Sequence, residues 1–179
     1  PEGVITSVLG KRFSRKAEIA SIAAAYNFTE GFDEAVIKEA EEVSESVKIA
    51  VKGRKDFRKD IVVTIDGETA KDYDDAVSVR KTSYGYELDV HIADVTEYVR
   101  AKSKLDKSAL ERGTSVYFPE TVIPMLPQSL CNDKCSLLPN EDRLTLSCAM
   151  KFDKNGNMTG SKIYKSVIRS KARLTYTAV

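Results

Sequence analysis

Ile65-Asp66-Gly67-Glu68-Thr69-Ala70-Lys71-Asp72-Tyr73-Asp74-Asp75-Ala76 carries four aspartates, Asp66, Asp72, Asp74 and Asp75, in a single short stretch. The apolar run Ile61-Val62-Val63-Thr64-Ile65 leads into it, and Ala76-Val77-Ser78-Val79 leads out. Short β-branched runs bounded by turn-formers read as strands. The acidic stretch is therefore predicted to be a loop pinned between two strands. Four carboxylates interrupted only by Lys71 repel one another, and a fold that gathers them needs either protonation or a bound cation. Donors that are all oxygen select hard divalent ions, magnesium or manganese before zinc. In an extended segment Asp72 and Asp74 share a face, while Asp75 points oppositely unless the chain turns there. The alternative is a solvated acidic loop, helped by hydrogen bonds to its own turn. A helix-flanked calcium loop fits poorly. Counted from Asp66, Lys71 stands where glycine is required and Val77 where glutamate is required.

Downstream, Ala76–Lys81 and Tyr86–Ile92 are predicted to pair through Thr82-Ser83-Tyr84-Gly85. Leu88, Val90 and Ile92 alternate with Glu87, Asp89 and His91, which places His91 on a polar face. It is the single histidine and is read as structural, which leaves no histidine for a general base or a histidine metal site. Ser103 followed by Asp106 resembles a capping box for a helix over Lys104–Arg112, ended by Gly113. Ser115–Phe118 reads as a short strand stopped by Pro119. Pro124, Pro127 and Pro139 shape an irregular loop with one helical turn near Gln128–Asn132; such loops beside a rigid sheet carry substrate contacts. Arg143–Asp153 and Asn157–Arg169 form a last hairpin around Asn155-Gly156, a strong turn signal.

Upstream, residues 2–9 read as a strand. Ile19, Ile22, Ala23 and Tyr26 recur at helical spacing, and Phe32, Val36, Ala40, Val43 and Val47 line one face of a helix over Asp33–Lys48. The fold class expected is α+β, a mostly antiparallel sheet with a few flanking helices. The chain has 179 residues and a net charge of +1, so composition does not mark it as a basic nucleic-acid-binding module. Two basic clusters stand out, Lys52 to Lys59 and Lys162 to Arg173. Each could track a phosphate backbone or be an ordinary solvated face. No apolar stretch is long enough to span a membrane and no signal peptide is evident. Three cysteines, an odd number, favour reduced thiols and a cytoplasmic setting. Cys131 and Cys135 lack a second ligand pair for zinc and read as structural. The chain starts at Pro1 and stops after a basic strand-like segment, as an excised piece of a longer protein would.

Several segments, in order, resemble the ribonuclease R and ribonuclease II family. They are Thr64 to Val77, Val90-His91-Ile92-Ala93-Asp94-Val95, Arg112-Gly113-Thr114-Ser115-Val116-Tyr117-Phe118-Pro119, Ile123-Pro124-Met125-Leu126-Pro127, Cys135-Ser136-Leu137, and Ala172-Arg173-Leu174-Thr175-Tyr176-Thr177. The resemblance covers most of the chain. It implies a hydrolytic exoribonuclease that shortens single-stranded RNA from the 3′ end to nucleoside 5′-monophosphates. The cofactor implied is Mg2+, with Mn2+ as a substitute, without a small organic cofactor. It further implies that Asp66, Asp72 and Asp75 are mainly metal ligands. Asp74 would be both a ligand and the aspartate on which catalysis depends most, and Tyr117 would hold the terminal nucleotide. Residues 1–12 would end an RNA-binding barrel domain, 13–52 would connect, and 53–179 would be the first part of an incomplete catalytic domain of the ribonuclease II type. The family's cleft also uses an arginine and an acidic residue further along, so the piece is expected to have little or no activity alone. A non-catalytic RNA-binding module and a metal-stabilised structural domain are the competing readings.

Overall fold

The computed structural model describes residues 2–5 and 7–179. Among these, helices α1 (Arg15–Ala25) and α2 (Glu34–Ser46) precede strands β1 (Lys55–Asp56), β2 (Val63–Asp66), β3 (Asp75–Lys81) and β4 (Gly85–Ala93). Helix α3 (Lys104–Arg112) follows, then β5 (Val116–Tyr117), β6 (Val122–Ile123), β7 (Asp142–Asp153), β8 (Met158–Arg169) and β9 (Ala172–Thr175). Seven strands form one sheet in the order β1-β8-β7-β4-β3-β2-β9, and β5 pairs with β6 apart from it. The interior pairs are antiparallel, as the α+β reading expects. Both edges are parallel: β1 on β8 and β9 on β2.

Local chemistry accounts for the element ends. Ser103 Oγ accepts from the Asp106 amide at 3.0 Å, and the Asp106 carboxylate accepts from the Lys102 amide at 2.7 Å, so α3 is capped on both sides of its start. At the β7–β8 turn one Asp153 oxygen accepts from the Asn155 amide at 2.8 Å and the Asn157 amide at 2.9 Å, while Gly156 takes φ +84°. Gly85 starts β4 instead of ending the turn. Its φ is +151°, and a Cβ there would lie 2.1 Å from the Phe152 carbonyl oxygen, so the close approach of β4 to β7 requires glycine. The helical turn expected near residues 128–132 lies at Leu130–Lys134 with widened, π-type bonding.

One side of the sheet is covered by α2, α3 and the loops, where Val36, Ala40, Leu105, Leu130, Leu137 and Ile168 pack together. The strands turn small and polar side chains toward that side. Ala76, Thr64, His91, Thr145, Ser147 and Ser166 are all buried. The apolar residues Val79, Ile92 and Ile163 lie open on the other side, 71%, 47% and 73% exposed. The alternation read from β4 is right, but the burial of its two faces is inverted: His91 and Asp89 are buried. The inversion follows from packing distance, because short side chains let covering segments approach. His91 Nδ1 then lies 2.6 Å from Ser147 Oγ, with its ring edge-on to Phe57 at 5.0 Å.

One further expectation is corrected. Residues 2–5 and 7–9 form no strand; none of the described residues pairs with them, and Val4, Ile5 and Val8 are exposed. Thr6 lies outside the described residues. Part of each basic cluster is paired with acids, most of them distant in sequence. Arg54 is buried against Asp94 at 2.7 Å and Glu97 at 2.9 Å, and Arg58 binds Asp56 and Asp142. Lys165 holds Glu97, and Arg169 reaches Asp142 at 2.7 Å.

Burial pushes the His91 imidazole down to about 4. With a folded value below the unfolded one near 6.5, the neutral ring contributes stability that is complete above about pH 6.5 and is lost as pH falls toward 4. Between pH 7 and pH 5 this amounts to about 2 kcal/mol. Urea denaturation of wild type and His91→Gln at both pH values is expected to show a loss shallower by about that amount in the variant. Equal losses would refute the assignment.

Candidate active site

The acidic loop joins β2 to β3. Asp66 closes β2, which is held between β3, through Val63 and Val77, and β9, through the register Val63–Asp66 against Ala172–Thr175. The loop then turns at once, with the Ala70 amide donating to the Gly67 carbonyl at 3.2 Å. Arg173 on β9 donates to the carbonyls of Gly67 and Glu68, each at 2.7 Å, and its guanidinium lies 5.5 Å from the Tyr73 ring centre. The Tyr73 hydroxyl donates back to the Ala70 carbonyl at 3.0 Å. In the middle, Ser136 Oγ accepts from the Tyr73 amide and donates to the Lys71 carbonyl, both at 3.1 Å. The Leu137 amide donates to the Tyr73 carbonyl at 2.8 Å. At the far end the Ala93 amide donates to the Asp74 carbonyl at 2.9 Å, where β3 begins.

These tethers sort the aspartates. Asp66, Asp72 and Asp74 face one open crevice, about 720 Å³, together with Tyr117, Cys131 and Asn132. That volume falls in the range of small-ligand sites. Asp75 lies in the shallow groove on the other side, beside Val63, Val77 and Tyr176. This is the opposite orientation that the alternation along an extended segment anticipates. Tyr117, exposed on β5, donates its hydroxyl to the Asp72 carboxylate. That bond, then burial, pushes the Tyr117 hydroxyl up to about 12, so it remains a donor.

The electrostatics are those of uncompensated acid. Among the described residues no lysine or arginine forms an ion pair with any of the four aspartates. Burial, then the charges of Asp72, Asp75 and Asp66, pushes the Asp74 carboxyl up to about 6. The residue sits exposed at the crevice mouth, where water screens part of this effect. Asp66 is also raised, mainly by burial, and its Oδ2 is buried without a hydrogen-bond partner. A buried, unpartnered carboxylate oxygen among like charges, in a set of oxygen donors only, suits a hard divalent cation. Among the described residues, however, no three acidic, histidine or cysteine side chains converge into a closed cage. Cys131 and Cys135 hold neutral thiols, burial pushing them up to about 11 and about 12.

The sequence reading does not single out Ser136 or Arg173 as site residues. The Arg173 cation is beside the loop but bonded to its carbonyls. Both residues lie within segments noted for other reasons, Cys135-Ser136-Leu137 and Ala172-Arg173-Leu174. Strand register brings Arg173 to the loop, and the irregular segment between β6 and β7 brings Ser136.

The RNB domain family model matches residues 54–179. Ribonuclease R of Thermotoga maritima is 46% identical over 183 aligned residues, covering 100% of this chain and 26% of that protein. Among solved structures, the apo form of Mycoplasma genitalium RNase R superposes with a TM-score of 0.89 at 32% identity, over 96% of this chain and 27% of that one. The same protein in complex with ribose methylated single-stranded RNA gives 0.89 at 31% identity, with the same coverage of each chain. The chain thus spans about a quarter of the length of the relatives it matches.

The raised Asp74 carboxyl makes its ionised form a cost to the fold. That cost is absent below about pH 4, grows as pH rises toward 6, and is full above it. With a chelator present, Asp74→Asn is expected to melt higher than wild type at neutral pH. After allowance for solvent screening the gain is roughly 1 kcal/mol or less, up to about 4 °C. The difference should close as pH falls toward 4. A variant that melts lower at neutral pH would show that Asp74 is stabilised by a partner and not opposed by its neighbours.

Proposed function

The chain belongs to the RNB domain family, and from that premise we propose that it supplies the acidic part of the active site of a 3′→5′ exoribonuclease. The substrate proposed is the 3′ end of single-stranded RNA, released stepwise as nucleoside 5′-monophosphates. The observation that carries the reading is the convergence of Asp66, Asp72, Asp74 and Tyr117 on one crevice in which the acids have no cationic partner.

Asp66 and Asp72, with Asp74 beside them and Asp75 from the far side of the strand, would hold Mg2+, with Mn2+ as a substitute. When bound, such ions supply an activated water and stabilise charge on the phosphoryl and leaving oxygens. The chain's own groups do the rest. Asp74, facing the same crevice, would orient the attacking water beside the scissile phosphate. Tyr117 offers an exposed aromatic face, on which a base stacks without its sequence being read. Its hydroxyl, bonded to Asp72, ties that ring to the acidic crevice. The setting proposed is the cytoplasm, consistent with three free cysteines; no described helix is long and apolar enough to cross a membrane.

The test uses the full-length protein with magnesium and a 5′-labelled single-stranded RNA. Wild type is expected to shorten the RNA stepwise from its 3′ end. Asp74→Asn should lose at least about 100-fold in rate while retaining RNA binding. Binding without shortening in either protein would support an RNA-binding module instead. Loss of folding without a specific loss of turnover would support a structural acid site. The 179-residue chain alone is expected to shorten no RNA, and processive activity from it would overturn the view that it holds only part of the site.

A further inference from the structure

We propose that Ser136 is a positioning residue for the acidic crevice, setting where the Asp72 and Asp74 carboxylates stand through the backbone between them. The inference rests on the exoribonuclease reading for its functional consequence, but its structural content stands apart from it. Ser136 Oγ bridges the two peptide groups that flank Asp72, accepting from the Tyr73 amide and donating to the Lys71 carbonyl, both at 3.1 Å. The neighbouring Leu137 amide takes the Tyr73 carbonyl at 2.8 Å. Residues 71 to 73 lie outside any strand, and among the described residues no other side chain bonds to their backbone. An irregular segment keeps one shape only when its polar groups find fixed partners. Here a single hydroxyl serves as both donor and acceptor.

The partner is itself fixed. Ser136 is fully buried, and its carbonyl accepts from Arg143 Nε at 2.8 Å. The Arg143 guanidinium also reaches Asp133 at 3.2 Å and the Asp142 carbonyl at 3.0 Å, while its backbone is paired with Ile168 at the start of β7. A chain of short contacts thus runs from the sheet through Arg143 and Ser136 to the peptide groups on either side of Asp72. Tyr117 holds the Asp72 carboxylate from the opposite wall. Misplacing an active-site group by about an ångström can cost roughly 100-fold in rate, so a hydroxyl with no contact to substrate still affects turnover.

The experiment compares Ser136→Ala and Ser136→Cys with Ser147→Ala and Asp74→Asn in the full-length protein. Ser147 is an equally buried hydroxyl in the sheet that does not touch the loop. Cysteine nearly preserves the serine volume but is a weak hydrogen-bonding group, so that variant keeps the test open if the alanine variant fails to fold. The first readout, independent of metal and activity, is hydrogen exchange at the Tyr73 amide, expected to quicken about tenfold or more in both Ser136 variants. The second is Mn2+ binding by titration, expected to weaken about tenfold. The third is the Mg2+ concentration for half-maximal RNA shortening, expected to rise similarly, with most of the maximal rate restored at high Mg2+. Ser147→Ala should shift none of the three. Ser136 variants indistinguishable from Ser147→Ala in Tyr73 exchange would overturn the inference. Failure of wild type to shorten RNA at all, or an Asp74→Asn variant as active as wild type, would instead overturn the exoribonuclease reading and leave the exchange measurement to judge Ser136.

Discussion

Like charges crowded into one short loop are the constraint that the surrounding structure answers. Separated aspartates would relax apart if the backbone allowed it. The fold prevents this with neutral hydrogen bonds to peptide groups. Arg173, the cation lying on the loop, is engaged by the carbonyls of Gly67 and Glu68. Its charge is thereby spent on the backbone turn, and the carboxylates remain uncompensated. A salt bridge in the same place would have quieted the repulsion and removed the affinity for an incoming cation. The loop is thus held in shape without being neutralised.

The same division between polar inside and apolar outside governs the sheet. The buried side carries Thr145, Ser147, Ser166 and His91 in a hydroxyl network, with Thr145 and Ser166 2.7 Å apart. Arg54 crosses beneath it, donating to the carbonyls of Thr145 and Ser166 as well as to Asp94. Removing one partner of such a buried pair leaves an unpaired charge and costs roughly 3–5 kcal/mol. Short polar side chains bring the 54–58 segment and the covering loops close to the strands. The mouth of the crevice is built on those loops.

Much of this was legible in the residues. The strand–acid–strand pattern located the central loop, Asn155-Gly156 located the long hairpin, and Ser103 with Asp106 located the start of α3. What escaped did so for definable reasons. Alternation along β4 identifies two faces but not which one is covered, and apolar content pointed to the wrong side. Charge clusters look free in a linear sequence because Asp94, Glu97 and Asp142, which pair with them, are remote along it. The bonds from Arg173 depend on long-range strand register and those from Ser136 on a loop remote in sequence, and no local pattern encodes either.

The parallel pairing of β9 with β2 carries a consequence in time. Thr175 meets Asp66 across roughly 110 residues, and β2 touches β3 through a single register pair. Contacts of such long separation form late, after the intervening chain has been ordered. On a ribosome adding about 5–20 residues per second, β9 is made roughly five to twenty seconds after the loop it secures. The turn at Gly67 and Glu68 therefore gains its Arg173 bonds only after the rest of the sheet has been made.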